Sequence, residues 1–159
     1  FPGEAEANLS KGKKFLTENA RRPEVKTTAS GLQYEVLKEG WGEKLDGFLK
    51  IGYKGTHLNG LVFDSRDRSW FPVDVNCLIP GLREGVCLMS QGGHYKFFIP
   101  SNLAFGEERC GFIGPNETLI FEIEETPDFS KTWSEIQSFM ESRKLSEPVT
   151  PKTTPSVKK

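Results

Sequence analysis

The sequence predicts an α+β fold in which a curved sheet wraps around one short helix, with a further helix flanking it at each end. Three observations carry this. The stretch Cys77-Leu78-Ile79-Pro80-Gly81-Leu82-Arg83-Glu84-Gly85-Val86-Cys87-Leu88-Met89 puts a proline where a first helical turn accepts one. Its missing N–H would be unpaired there, and its φ is already helical. Leu82, Val86 and Met89 then share one face at helical spacing, and Arg83 and Glu84 are left to solvent. Nearly everything else in the middle of the chain reads as strand. A helix this short is unstable alone, so it must lie on the sheet. Leu78 and Ile79 would then sit at the mouth of the concavity, with a backbone N–H directed into it.

From Glu4 to about residue 20, Ala5, Leu9, Phe15, Leu16 and Ala20 form a loose apolar stripe among Glu and Lys, which reads as helix. Gly12 in its middle costs about 1 kcal/mol relative to alanine, which suits the end of a longer helix or a partner-facing one. Arg21-Arg22-Pro23 stops it, and Thr27 to Ser30 reads as linker. Strands follow at Leu32–Leu37 and Leu49–Thr56, the second ending in His57-Leu58-Asn59-Gly60-Leu61, where Asn-Gly is a strong hairpin signal. Val62-Phe63-Asp64-Ser65 starts the return strand, and Trp70-Phe71-Pro72-Val73 follows a polar turn. After the central helix, Gln91-Gly92-Gly93 turns the chain into the strand His94–Ile99, closed by Pro100. Ser101 to Asn116 is a loop long enough to suggest function. In the last strand, Thr118–Glu124, Leu119, Phe121 and Ile123 share a face. Trp133, Ile136, Phe139, Met140 and Leu145 mark a terminal helix, and Ser146 to Lys159 lacks any hydrophobic anchor and reads as a disordered tail.

The chain has 159 residues, enough for one domain with appendages. Its 22 acidic and 21 basic side chains nearly cancel, which argues against nucleic acid or an anionic membrane as partner. No apolar run reaches membrane-spanning length. The start at Phe1 rather than Met suits a processed or trimmed product. Cys77, Cys87 and Cys110 form neither a metal pattern nor a disulfide framework and read as buried small hydrophobes. His57 and His94 have no metal-ligand partner at a recognised spacing, so neither metal nor cofactor is expected. A Cys–His nucleophile pair has no support. Asp64 and Asp67 could pair as carboxylates, although a solvated turn accounts for Asp67, and Asn116-Glu117-Thr118 matches the short glycosylation pattern. The distinctive feature is an aromatic surplus: Tyr53, Phe63, Trp70, Phe71, Tyr95, Phe97, Phe98, Phe105 and Phe121, of which Phe71 and Phe97 read as core.

Five motifs occur in a fixed order: Gly52-Tyr53-Lys54-Gly55, Val62-Phe63-Asp64-Ser65, Leu78-Ile79-Pro80-Gly81-Leu82, Leu103-Ala104-Phe105-Gly106 and Gly114-Pro115-Asn116-Glu117-Thr118-Leu119-Ile120-Phe121. In that order the stretch from Gly31 to Glu125 resembles the FKBP-type peptidyl-prolyl isomerases. Upstream, Lys11-Gly12-Lys13-Lys14-Phe15-Leu16-Thr17-Glu18-Asn19 and Ser30-Gly31-Leu32-Gln33-Tyr34 are similar to the macrophage infectivity potentiator branch, in which a long helix carrying a dimerisation module precedes the isomerase domain.

This resemblance implies an antiparallel, five- to six-stranded curved sheet wrapped on the short helix, in agreement with the residue-level reading. Together with the residue-level reading it divides the chain into the end of a connecting helix with its linker (1–30), an isomerase domain (31–127), a C-terminal helix (128–145) and the tail (146–159), the last two lying beyond the family pattern. It implies a bacterial enzyme that accelerates rotation of X–Pro bonds in protein clients and is inhibited by rapamycin- and tacrolimus-type macrolides. The location implied is the periplasm, outer membrane or cell surface, with the targeting segment absent from this chain, and the longer protein would be a homodimer through an N-terminal module. The alternatives are a weakly active proline-peptide-binding chaperone module and a structural domain that binds partners through the terminal helix. The catalytic group implied is Tyr53, Phe63, Asp64, Ile79 and Phe121, with Asp64 partly buried and held by Tyr53. Leu78, Leu82, Phe105, Ile113 and Trp70 would hold the substrate. Leu82 stands where the family commonly has tryptophan, and Phe105 where it commonly has tyrosine.

Overall fold

The computed structural model describes residues 3–45, 47–66, 73–125 and 141. The chain divides into two units, Phe1–Thr126 and Pro127–Lys159, and every described element lies in the first. Apart from Glu141, the expected C-terminal helix and tail fall outside the described residues, as do Asp67, Trp70 and Phe71.

Among the described residues of the first unit, ten strands and two α-helices follow in order: α1 (Glu4–Asn19), β1 (Val25–Thr27), β2 (Gln33–Lys38), β3 (Trp41–Lys44), β4 (Phe48–Leu49), β5 (Ile51–Thr56), β6 (Val62–Arg66), β7 (Val73–Asp74), α2 (Pro80–Val86), β8 (Ser90–Gln91), β9 (His94–Ile99) and β10 (Leu119–Glu125). Six of the strands form one antiparallel sheet in the order β1-β2-β9-β10-β5-β6. The short pairs β3–β8 and β4–β7 stand beside it.

Register explains the core. Leu119, Phe121 and Ile123 lie opposite Ile99, Phe97 and Tyr95, so alternate residues of both strands meet on one face. All six are buried there with Leu82, Val86 and Met89. Side chains of this kind contribute about 1.5–3 kcal/mol each on burial. The helix α2 presses closely on β9 because two of its residues have no side chain. A β-carbon at Gly85 would stand 2.5 Å from the Phe97 ring, and one at Gly81 would stand 2.5 Å from Ile99 Cγ2. Met89 lies beyond the end of α2, but its N–H still reaches Val86 O at 3.0 Å and keeps the turn closed.

The opposite face of the sheet is covered by α1. Phe15 meets Phe98 at a centroid distance of 5.8 Å, Asn19 Nδ2 donates to Gln33 Oε1 at 2.8 Å, and Gln33 Nε2 donates to Leu16 O at 2.9 Å. This end of the helix therefore packs on its own domain. The glycine that argues against an isolated helix has a tertiary reason: Gly12 is buried against Thr118, which leaves no room for a β-carbon.

Two expectations need correction. The segment before Gly31 contains an edge strand, Val25–Thr27, paired with β2. Three residues with a single buried one show no alternation to read. The cysteines are exposed free thiols, not buried hydrophobes. Each sits where the chain turns: Cys77 ends a 3-10 turn, Cys87 caps α2, and Cys110 pairs with Ile113 in a tight turn.

Candidate functional site

The site is built around a β-bulge. Gly55 pairs with Asp64 and Thr56 with Val62, so Phe63 is the extra residue on β6. A bulge re-aims the side chain it carries, and here Phe63 swings across Gly55 onto Phe121 of β10. The two rings lie 5.5 Å apart and almost perpendicular, at 82°, an edge-to-face arrangement favoured by the ring quadrupoles. Gly55 makes this possible. A β-carbon there would stand 2.7 Å from Phe63 Cζ and 2.8 Å from Phe121 Cε1.

Tyr53, two residues earlier on β5, lies on the same face, with its ring 6.3 Å from Phe121. Its hydroxyl donates to Asp64 Oδ2 at 2.9 Å. Burial, and after it this hydrogen bond, holds the Tyr53 phenol above the ordinary tyrosine value. Asp64 itself is exposed, contrary to its expected partial burial. Asp64 lies opposite Gly55, on the same face as Tyr53, but β6 is the edge strand of the sheet and leaves its carboxylate open to solvent.

The remaining candidates come from α2 and the long loop. Leu82 and Ile113 are buried members of the core, and Leu78 and Ile79 pack against it half-buried. Ile79 starts α2: its carbonyl accepts the Arg83 N–H at 2.9 Å, while its own N–H has no acceptor among the described residues. Phe105 is 36% exposed and stands outside the buried cluster. Trp70 lies outside the described residues. The structure thus brings Tyr53, Phe63, Asp64 and Phe121 into direct contact. It sets Leu78, Ile79, Leu82 and Ile113 in the same packed cluster.

Sequence reasoning gave no role to His57 and Glu117. His57 Nδ1 is 2.7 Å from Glu117 Oε1, the other Glu117 oxygen accepts the Gly114 N–H at 2.6 Å, and the His57 ring meets Phe63 edge-on at 5.2 Å. Sixty positions separate the pair in sequence, so no local pattern could have revealed it. His57 also lines a cleft of about 290 Å³ between α1 and the Asn59-Gly60 turn. Among the described residues, no three His, Cys, Asp or Glu side chains converge as metal ligands, and no helix is long and apolar enough to cross a membrane.

Comparison with known proteins gives one answer. The family model described as FKBP-type peptidyl-prolyl cis-trans isomerase matches residues 40–124, and the model for the domain amino terminal to it matches residues 3–36. The chain is 46% identical over 125 residues to a probable FKBP-type peptidyl-prolyl cis-trans isomerase FkpA of Neisseria meningitidis serogroup B, covering 76% of this chain and 46% of that one. It is 40% identical over 128 residues to the outer membrane protein MIP of Legionella longbeachae, covering 77% and 55%. The crystal structure of FkpA from Escherichia coli superposes with a TM-score of 0.74 at 32% identity, over 79% of this chain and 61% of that one. A peptidyl-prolyl isomerase structure from Pseudomonas syringae pv. tomato gives 0.69 at 31%, over 77% and 94%. This chain spans about half the length of the two sequence relatives.

Proposed function

The chain belongs to the FKBP-type peptidyl-prolyl cis-trans isomerase family, and on that premise we propose that Phe63 and Phe121 wall a recess that accelerates rotation about X–Pro peptide bonds in protein clients. The observation that carries the reading is the perpendicular ring pair seated on Gly55, with the Tyr53–Asp64 hydrogen bond beside it.

The chemistry needs no nucleophile. Rotation about a peptide bond is opposed by a barrier of about 18–20 kcal/mol, because amide resonance must be lost. The planar amide is charge-separated, and at the twisted geometry the nitrogen carries no positive character. An apolar surround therefore disfavours the ground state relative to the transition state, which is complementarity of the kind that raises kcat. In this reading the proline ring lies against Phe63, Phe121 and Leu82. The Ile79 N–H donates to a substrate carbonyl and fixes one side of the rotating bond. Leu78 and Ile113 exclude water. Asp64, being exposed, works at the rim: it anchors the Tyr53 hydroxyl and so fixes the ring that borders Phe121.

Phe105 and Trp70 are assigned to substrate binding, and residues 31–127 to the isomerase domain. Rapamycin- and tacrolimus-type macrolides would compete for the recess, with Phe105 offering no hydroxyl to their carbonyls. The match to an outer membrane protein of Legionella longbeachae supports a place at the bacterial envelope, and that relative's greater length supports a longer protein, whose dimerisation is what the infectivity-potentiator resemblance implies. Turnover of a Leu-Pro or Phe-Pro peptide, measured with and without rapamycin, tests the proposal. Turnover abolished by the drug supports the enzyme. Drug binding without turnover would replace it with the proline-binding chaperone module, whose supporting features are Leu82 and Phe105.

A further inference from the structure

One face of α1 is committed to the long loop rather than to the sheet. Asn8 Nδ2 donates to Pro115 O at 2.9 Å, Asn116 Nδ2 donates to Ala5 O at 3.3 Å, and Arg109 Nη2 meets Glu4 Oε1 at 2.6 Å. One turn beyond Asn8, Gly12 rests on the side chain of Thr118, which is 4% exposed. Glu4, Asn8 and Gly12 recur at intervals of four, so these contacts come from a single stripe. The Arg109–Glu4 pair is exposed and adds little. The two amide bonds and the Gly12 contact are directional or sterically tight, and they set the register.

The same loop carries Phe105 and Ile113. Its two arms are tied at the base by the Asn116 N–H, which donates to Gly106 O at 2.7 Å, and the Gly106 N–H donates to Ser101 O at 2.9 Å. Asn116 thus bonds α1 through its side chain and the residue next to Phe105 through its backbone. Its φ of 60° holds it in the left-handed region, which asparagine tolerates. A displacement of α1 along this stripe would pass through one residue to the arm that bears Phe105.

We infer that α1 is a clamp on the loop that carries Phe105 and Ile113, and that Asn8 and Asn116 are positioning residues which set where those two side chains stand. The inference rests on the isomerase reading only for its effect on turnover; the clamp itself is a statement about the loop. A longer protein in which α1 continues into another module would use this contact to make the site sensitive to the pose of that module.

The test uses the full chain with Asn8→Ala and Asn116→Asp, and Lys13→Ala on the exposed side of α1 as control. Alanine raises helix propensity, so Asn8→Ala keeps α1 formed. Aspartate tolerates a left-handed backbone but cannot donate to Ala5 O. Amide hydrogen exchange at Gly106 and Asn116 should quicken by roughly tenfold in both variants, while the amides of Phe97 and Phe121 hold their rates. KM for an X–Pro peptide should rise about three- to fivefold with kcat changed less than about twofold, because the loop contributes uniform binding. The control should match wild type. Loop exchange that is unchanged, or that rises only in step with Phe97 and Phe121, would overturn the clamp. Faster loop exchange with unmoved KM would overturn the positioning role. A wild-type protein without turnover would remove the isomerase reading and leave the exchange data to decide the clamp.

Discussion

The Tyr53 hydroxyl donates to Asp64 Oδ2 at 2.9 Å across the β5–β6 pair, and the carboxylate it reaches is exposed. On the proposed reading the acid would act through Tyr53, since it is not a buried charge. Asp64→Leu should lower kcat/KM roughly tenfold, about 1.4 kcal/mol of transition-state stabilisation, with the fold retained. Tyr53→Phe should have an effect of the same sign. The double variant should be little worse than the poorer single one, since residues that act as a unit are not additive. Kinetics of the four proteins decide this, and full additivity would separate the two residues.

The same hydrogen bond predicts an alkaline dependence of stability. Burial and the bond to Asp64 raise the Tyr53 pKa in the folded state. The folded protein thus holds the phenolic proton more tightly than the unfolded chain. Its contribution is complete below the ordinary tyrosine value of about 10 and is lost as pH rises from there through the raised folded value. Urea midpoints of wild type and Tyr53→Phe, compared from neutral pH to beyond that value, should converge as pH rises. A difference that stays constant would show that Tyr53 is not the group responsible.

Gly55→Ala tests the seat of the two rings. A methyl there meets both Phe63 and Phe121 inside 3 Å, so one ring must shift. Overpacking of this kind costs typically about 1–3 kcal/mol, and activity should fall further than stability alone explains because the wall of the recess moves. Urea unfolding together with kcat/KM measures both. An active variant of wild-type stability would show that the ring pair can be displaced without consequence.

The parts of this molecule legible in its sequence are those governed by period and by local chemistry. The strand Leu119–Glu125 alternates, Pro80 opens α2, and Asn59-Gly60 turns the β5–β6 hairpin, with Gly60 at a φ of 92°. The contacts hardest to read are set by tertiary approach. Gly12 looks like a flaw in a helix until Thr118 is seen against it. His57 and Glu117 are distant in sequence and meet only because β5 and β10 pair. The placing of Phe63 over Gly55 depends on a bulge, a one-residue irregularity that hydropathy does not encode. The three cysteines mislead for a similar reason: the usual burial of this residue type is a statistical habit, and turns at their positions override it.

Phe105→Tyr probes the assignment of Phe105 to binding. Phe105 is 36% exposed, so an added hydroxyl has room to reach a carbonyl of a bound macrolide. One such bond is worth about 0.5–1.5 kcal/mol net, and rapamycin should bind correspondingly tighter to Phe105→Tyr. Turnover should change less, since a bond made equally in ground and transition states does not raise kcat. Calorimetric titration of both proteins with the drug is the check; equal affinities would place Phe105 away from the bound ligand.

The most direct measurement is the cis/trans exchange rate of a Phe-Pro peptide, read by NMR exchange spectroscopy with the protein at a small fraction of the peptide concentration. Uncatalysed exchange takes tens to hundreds of seconds at about 25 °C. Wild type should bring it into the range where cis and trans signals exchange, leave the cis:trans ratio unchanged, and lose most of this acceleration in Phe121→Ala. An exchange rate equal to that of the peptide alone, from a folded protein that still binds the peptide, would contradict the isomerase account.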